Sequence, residues 1–388
     1  MKHTSFSLAC CLPCSFLGKV AAGFVLFLSL SLSLFLSSCS NGGSAQMPSD
    51  GDTIPMRHAK NITMVRYGDY VKVDMLNPWA KGGMLATYVL ADREADEPEW
   101  LGHATLVRIP LENALVFAAV HCNLIAELGA EDCIGGVCEK QYVSALAKDV
   151  VDCGNGMSPN HERIIQLHPD AMLVSSFENN PGYDKLRQIG VPVIQCAEYM
   201  EATALARAEW MKFFGMLVGK GQEAESLFAA LEQRYDSLKA LTANTSRRPR
   251  ILSETLYGSI WYQPGVNSTI GQIYADAGAQ TAFPQHQQSG SVPLSAEQVL
   301  ADAHDADIWL VRYDAPVPKT LRQLADESPI YSQFDALRNG NVWGCNATAS
   351  HFYEQTPFHP DLLLSDIIQI AHPELHLPSP MHYYHRLK

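Results

Sequence analysis

The chain has no Gly-x-Ser-x-Gly nucleophile elbow, no His-Glu-x-x-His zinc helix and no phosphate-binding glycine loop. Those absences remove the motif-based grounds for a hydrolase or metalloenzyme on a doubly wound fold. Positive charge is also scarce. Lys and Arg number 28 against 41 Asp and Glu, a formal net charge of −13, and the pI is near 5.5. Phosphate binding needs a concentrated basic surface, so nucleic acid is excluded as a partner. The one basic cluster, Arg247-Arg248-Pro249-Arg250, precedes a predicted strand and reads as a solvated linker. Six histidines (His351, His359, His372, His376, His382 and His385) crowd the C-terminal part. Their spacing around prolines lacks a metal-ligand pattern, and they read as surface residues.

What is present is a long chain, 388 residues with 47% hydrophobic content, enough for one large or two medium domains. Residues 1–38 read as a secretory signal: Lys2 and Lys19 supply charge, and the apolar run Val20 to Leu36 stops at small residues. A retained transmembrane anchor is the competing reading of that run. Its ending, Leu36-Ser37-Ser38-Cys39, resembles the lipobox of bacterial lipoproteins, which implies that Cys39 becomes the acylated first residue and holds the protein on a bacterial cell membrane. Residues 39–60 read as a flexible tether rich in Gly, Ser and Asp, with the fold starting near Asn61. Once the signal is removed, Cys122, Cys133, Cys138, Cys153, Cys196 and Cys345 remain besides Cys39, with no Cys-x-x-Cys pair. Disulfides are open to an exported chain, a Cys133–Cys138 loop among them, but spacing does not fix the pairing.

Residues 61–202 form a first lobe. It opens on an extra β segment, 61–109, with a hairpin around Gly68-Asp69 and further strands at Met84 to Leu90 and Ala104 to Ile109. From Ala114 strands alternate with helices, which predicts parallel βαβ units. A helical region at 203–243 follows: Ala204 to Val218, then Gln222 to Leu241 with Leu227, Leu231, Tyr235, Leu238 and Leu241 at three- and four-residue steps. Residues 244–388 form a second α/β lobe with a closing helix at Asp361 to Ile370 and a loose tail from Ser379.

One segment occurs twice. Glu162 near a helix start is followed eight positions later by Asp170-Ala171 and a short apolar strand, and Glu297 is followed eight positions later by Asp305-Ala306 and another (170 − 162 and 305 − 297). Ser158-Pro159 supplies an N-cap and a first-turn proline before Glu162, and Ser295-Ala296-Glu297-Gln298 is a capping box. An acid in a first turn gains roughly 0.3 to 1 kcal/mol from the helix dipole and needs no other role. Its occurrence at matched places in both halves asks for more.

The paired segments, the lipobox and two α/β lobes joined by a long helix resemble the periplasmic substrate-binding proteins of ABC importers for iron chelates, haem and vitamin B12, over roughly residues 105–375. The resemblance implies an α/β fold of two Rossmann-like lobes joined by a single long helix, a ligand cleft between them, and no enzymatic activity or intrinsic cofactor. It implies that Glu162 and Glu297 dock into arginine pockets of an ABC permease dimer carrying its ATPase, and that the protein is a periplasmic, lipid-anchored monomer. Ligands of open α/β sheets lie beyond the carboxyl ends of the strands, which selects His121, Phe177, Glu178, Asn179, Tyr257, Trp261, Tyr262, Tyr313 and Asn346. His121 either caps its helix or acts as an axial ligand, and Tyr313 and Phe177 either contact ligand or pack the sheet edge. Flat apolar walls with amide and carboxyl groups suit a ferric chelate or a corrinoid. Haem is less well matched, because Cys153 to Met157 lacks a tyrosine of the kind that haem-binding members place there. No arginine cluster marks the cleft. A permease-independent scavenger or chaperone for the same ligands is the alternative, and a metalloenzyme on a similar fold a more distant one.

Overall fold

The computed structural model describes residues 49–388 apart from 81, 145, 147, 148, 177–185 and 189. The signal segment, Cys39, the ligand candidates Phe177, Glu178 and Asn179, and residues 184, 185 and 189 of the helix expected at 184–189 lie outside the described residues. From Met47 onward the chain forms one unit.

Five strands open it: β1 (Asp52–Ile54), β2 (Ile62–Tyr67), β3 (Tyr70–Leu76), β4 (Met84–Asp92) and β5 (Thr105–Ile109), in the order β1-β2-β3-β4-β5. The β2–β3 hairpin closes with Tyr67 opposite Tyr70, and Gly68 supplies the positive φ of 58° that a two-residue turn requires. Alternation places Ile62, Met64, Val71, Val73 and Met75 in the core, with Thr63 between Ile62 and Met64 exposed. Their buried face shares one core with Trp210, Phe213, Phe214 and Phe228. The segment with no assigned role is thus a sheet packed on the central helices.

The fold begins at Asp52, nine residues earlier than the sequence suggests (61 − 52). Two carboxylates explain why. Glu209, with no exposed surface, accepts the backbone N–H groups of Arg57, His58 and Ala59 at 2.9, 2.8 and 2.9 Å and the Lys212 ammonium at 2.9 Å. Glu201 accepts the Lys60 and Asn61 amides at 3.1 and 2.9 Å and the Trp210 indole N–H at 2.9 Å. A polar segment that composition marks as a tether is therefore ordered by hydrogen bonds rather than by apolar burial.

The first lobe runs β6 (Ala114–Val116), α1 (Ala119–Glu127), β7 (Ile134–Val137), β8 (Val151–Asp152), β9 (Gly154–Asn155), β10 (Ser158–Pro159), α2 (His161–Leu167), β11 (Ala171–Ser175) and β12 (Val193–Cys196). Its parallel sheet has the order β12-β11-β6-β7-β8. The Tyr88 hydroxyl of β4 donates to Val193 O at 3.0 Å and accepts from Gln195 N–H at 2.9 Å, joining the extra sheet to β12. Two local expectations change. The apolar run from Ala114 breaks into a strand and a helix start, and α2 is capped by Asn160, which accepts from Arg163 N–H, because Ser158 and Pro159 are occupied pairing with β9. Cys122, Cys138, Cys153, Cys196 and Cys345 are free thiols. Cys133 and Cys138 flank the extended β7 and stand five residues, about 16 Å, apart, beyond disulfide reach.

Helices α3 (Ala204–Glu209), α4 (Met211–Leu217) and α5 (Gly221–Thr242) link the lobes, the expected single helix at 204–218 dividing at Trp210. At 22 residues α5 is about 33 Å long. Its buried stripe is Ala224, Phe228, Leu231 and Tyr235, while Leu241 is exposed. The second lobe contains β13 (Arg250–Ser253), β14 (Leu256–Tyr257), β15 (Ile260–Pro264), α6 (Thr269–Asp276), β16 (Gln280–Thr281), β17 (Ser291–Ser295), α7 (Ala296–Ala303), β18 (Ile308–Tyr313), α8 (Leu321–Glu327), α9 (Asp335–Arg338), β19 (Val342–Asn346), α10 (Phe352–Gln355), α11 (Pro360–Ala371) and β20 (His385–Arg386). Its main sheet has the order β16-β13-β18-β19-β20, with only β20 antiparallel, and β14-β15-β17 form a small antiparallel sheet.

The tail is not loose. Asp366 of α11, fully buried, accepts the amides of His382, Tyr383 and Tyr384 at 2.8, 2.7 and 3.0 Å, and β20 then pairs with β19. Nor are all the C-terminal histidines on the surface, since His372 is buried with Nε2 3.2 Å from Gly278 O.

Burial alone would raise the Glu209 carboxyl, but its four donors outweigh that and hold it below the ordinary carboxylate range. Its contribution to stability is then fully present above the unfolded value of about 4.3 and is lost as pH falls through the folded value. Glu209→Ala should lower unfolding free energy by about 3–5 kcal/mol at pH 7, because it strands a buried ammonium and three amides. Urea midpoints measured from pH 7 to pH 3 should fall less steeply in the variant than in the parent.

Candidate ligand cleft

The carboxyl ends of β6, β7 and β11 converge on one face of the first lobe. Phe117 to Val120 follow β6, Glu139 and Tyr142 follow β7, Ser175 ends β11, and Gly156-Met157 come from the β9–β10 turn. Together with Tyr353 and Glu354 of α10, from the second lobe, they line a cavity of about 330 Å³. Tyr142, Met157 and Tyr353 are 57%, 70% and 56% exposed, so their apolar surfaces are turned to solvent. Glu139 sits in the left-handed region at φ 52°, held by its N–H on Gly154 O at 2.7 Å and by Asn155 Nδ2 on its carboxylate at 2.9 Å. One oxygen of Glu354 is buried with no hydrogen-bond partner among the described residues. A ligand donor or metal-bound water would satisfy it.

A second cavity of about 270 Å³ opens on the other lobe, beyond β13 and β18, lined by Glu254, Tyr262, Gln263, Thr269 and Arg312 among others. The Arg312 guanidinium donates through Nε to Glu254 at 2.6 Å and lies 5.2 and 5.4 Å from the rings of Phe352 and Tyr353. Tyr353, a wall of the first cavity, therefore stands beside Arg312 of the second. Burial would lower the Arg312 pKa, but Glu254 outweighs it and holds the group above its ordinary range. Glu254 itself has φ 62°, a conformation fixed by its N–H on Leu310 O at 2.8 Å and the Trp309 indole on its carbonyl at 2.7 Å. Strained non-glycine residues persist only where their surroundings over-determine them.

Several residues chosen from sequence go elsewhere. Trp261 is wholly buried, its indole N–H on Ser253 O at 2.8 Å and its ring among Trp309, Tyr331 and Phe334, because strand alternation turns Trp261 inward and Tyr262 outward. Tyr313 is 8% exposed, with its hydroxyl bound by His385 and the Lys319 N–H, both at 3.1 Å. His121 is buried inside α1, 3.3 Å from Glu198 and stacked on Phe214, so it caps no helix and lines neither cavity. Asn346 spends its amide on Ala315 O at 2.6 Å, and Tyr257, 79% exposed, lines neither cavity. Of the described candidates, Tyr262 lines the cleft. Sequence reasoning passed over Glu139, Tyr142, Met157, Arg312, Tyr353 and Glu354. Arg312 was within reach of the strand-end rule, whereas Tyr353 and Glu354 lie a helical turn beyond it.

Glu162 and Glu297 both stand exposed in the first turns of α2 and α7. The α7 capping box is complete, and the Glu297 carboxyl is held low by its own backbone N–H and by Ser295.

The family model described as periplasmic binding protein matches residues 121–349. An uncharacterized lipoprotein of Methanocaldococcus jannaschii is 24% identical over 85% of this chain and 84% of its own. The iron-uptake system-binding protein of Bacillus subtilis is 22% identical over 64% of this chain and 79% of its own. A periplasmic heme-binding protein from Pseudomonas aeruginosa shares the fold with a TM-score of 0.56 at 18% identity, over 71% of this chain and 98% of its own. The extra sheet at 52–109 precedes the region matched by the family model.

Tyr353→Ala should weaken ligand binding by tenfold or more, about 1.4 kcal/mol, while leaving the denaturation midpoint near that of the parent. Trp261→Ala should do the reverse, losing about 3–5 kcal/mol of stability. Titration calorimetry and urea denaturation on the two variants separate wall from core.

Proposed function

The chain belongs to the periplasmic binding protein family, and on that premise we propose that it captures a metal chelate between its lobes and delivers it to an ABC permease dimer with its ATPase. The observation that carries this reading is the cavity walled from both lobes, with Phe117, Tyr142, Met157 and Tyr353 as flat or apolar surfaces. Such walls accept a ring-rich ligand of chelate size better than a sugar or a bare ion.

The charges narrow the class. Glu139 and Glu354 face the first cavity, and the cationic group next to it, Arg312, is already paired with Glu254. A polyanionic chelate would meet two carboxylates and a neutralised arginine, whereas a corrinoid or a neutral ferric siderophore would not. Haem, with two propionates to compensate, fits less well. Glu162 and Glu297 are the docking acids of this reading: exposed carboxylates on a rigid body orient association with basic pockets without needing high affinity. Cys39 supplies the lipid anchor outside the cytoplasm.

Two measurements test it. Protein purified from its native host should carry corrinoid absorption bands or a broad ferric charge-transfer band, and a Soret band would reverse the order of preference. The double variant Glu162→Ala with Glu297→Ala should abolish uptake of that ligand with its affinity unchanged, and normal uptake by this variant would reject permease docking through these residues.

A further inference from the structure

At the outer edge of the first lobe's sheet, two strands end side by side on cysteines. β7 and β8 are parallel with Val137 opposite Asp152, and the next residues along are Cys138 and Cys153. Pairing continues into that step: Cys153 N–H donates to Val137 O at 2.8 Å, and Glu139 N–H donates to Gly154 O at 2.7 Å. Both side chains are buried on the same face, in the cluster that holds Leu115, Phe117 and Ile164. The Cys138 sulfur lies 4.0 Å from Cys153 O. Adjacent strands run about 4.7–4.9 Å apart, inside the roughly 4.4–6.8 Å range of Cα separations that disulfides span. Cys122, Cys133, Cys196 and Cys345 lie in a different core cluster, Cys196 on β12 at the opposite edge of the same sheet and Cys345 on β19 of the second lobe.

From this register we infer that Cys138 and Cys153 are a disulfide-forming pair, cross-linked when the protein folds in an oxidising compartment. The chemistry is thiol–disulfide exchange with a disulfide oxidant, a small molecule or a protein. One cysteine thiolate attacks the oxidant's S–S bond and releases one thiol. The second attacks the mixed disulfide and releases the other, so two protein S–H groups and one oxidant S–S bond become one protein S–S bond and two oxidant thiols. Burial raises both thiols, Cys138 to about 12 and Cys153 to about 11. The folded, reduced protein therefore presents little thiolate, and the bond forms while the strands come together rather than afterwards.

The link bears on the cleft. Cys138 precedes Glu139 and Cys153 precedes the turn that carries Gly156 and Met157, so one covalent bond ties together two loops of the first-lobe wall. Loops fixed before ligand arrives need not be ordered on binding.

The test is to unfold the full chain in reductant, refold it in oxidised and reduced glutathione, alkylate remaining thiols and digest without reduction. Mass spectrometry should find the peptides of Cys138 and Cys153 joined, and the melting temperature should exceed that of protein refolded in reductant by about 5 °C. The double variant Cys138→Ser with Cys153→Ser should melt with the reduced parent under both conditions and show no gain from glutathione. Alkylation of both cysteines after oxidative refolding, Cys138 joined to a different cysteine, or a joined form that melts below the reduced one would each overturn the inference.

Discussion

Helix α5 carries the chain from one lobe to the other, and carboxylate contacts along it fasten it to both sides of the joint. On the second-lobe side Arg234 pairs with Asp361 of α11 at 2.7 Å, and Tyr235 and Lys239 both reach Asp276 of α6 at 2.8 Å. At its middle Glu232 takes His58 at 2.7 Å and Arg57 at 3.0 Å, and nearer its start Phe228 meets Lys212 of α4, which also pairs with Glu209. Exposed pairs of this kind contribute little individually. Asp361 and Glu209 are different, because they are 1% and 0% exposed. Separating either from its partners would leave a buried, uncompensated charge, at a cost of several kcal/mol. A hinge about α5 that separated Arg234 from Asp361 would carry that cost.

The extra sheet belongs to this joint rather than to the binding site. Its inner face completes the core around Trp210, Phe213 and Phe228, and the segment leading into it, 55–61, is bound by Glu209, Glu201 and Lys212. Its link to β12 through Tyr88 then braces the first lobe from outside. Sequence before the region matched by the family model has thus been used to stiffen the connection between the lobes, while Glu162, Glu297 and the cleft walls all lie beyond residue 116.

Periodicity and capping were legible wherever they acted locally. The β2–β3 hairpin, the Ser295 capping box and the two α/β lobes follow from patterns a few residues long. β7 was hidden because Gly135-Gly136 does not read as a strand. Close packing explains those glycines, since a Cβ on Gly136 would meet Leu167 at 2.6 Å. Asn160 was passed over as a cap because Ser158-Pro159 carries the stronger local signal while serving a strand. Hydrogen bonds between distant residues left no trace at all: nothing in Pro55 to Lys60 announces Glu209, and nothing in the tail announces Asp366. The site suffered most from this. The strand-end rule finds the right edge of each sheet, but alternation then sends Trp261 and Tyr313 into the core, and α10 brings Tyr353 to the cleft from a turn further on.

The proposed ligand is held between walls contributed by both lobes. Hydrogen exchange followed by mass spectrometry, with and without whichever of cyanocobalamin, a ferric siderophore and haemin binds, reads those walls directly. Protection should rise together at residues 117–120, 139–142 and 156–157 of the first lobe and at 353–354 of the second, with α5 unchanged. Protection confined to one lobe, or a broad change along α5 that signals a hinge, would contradict it.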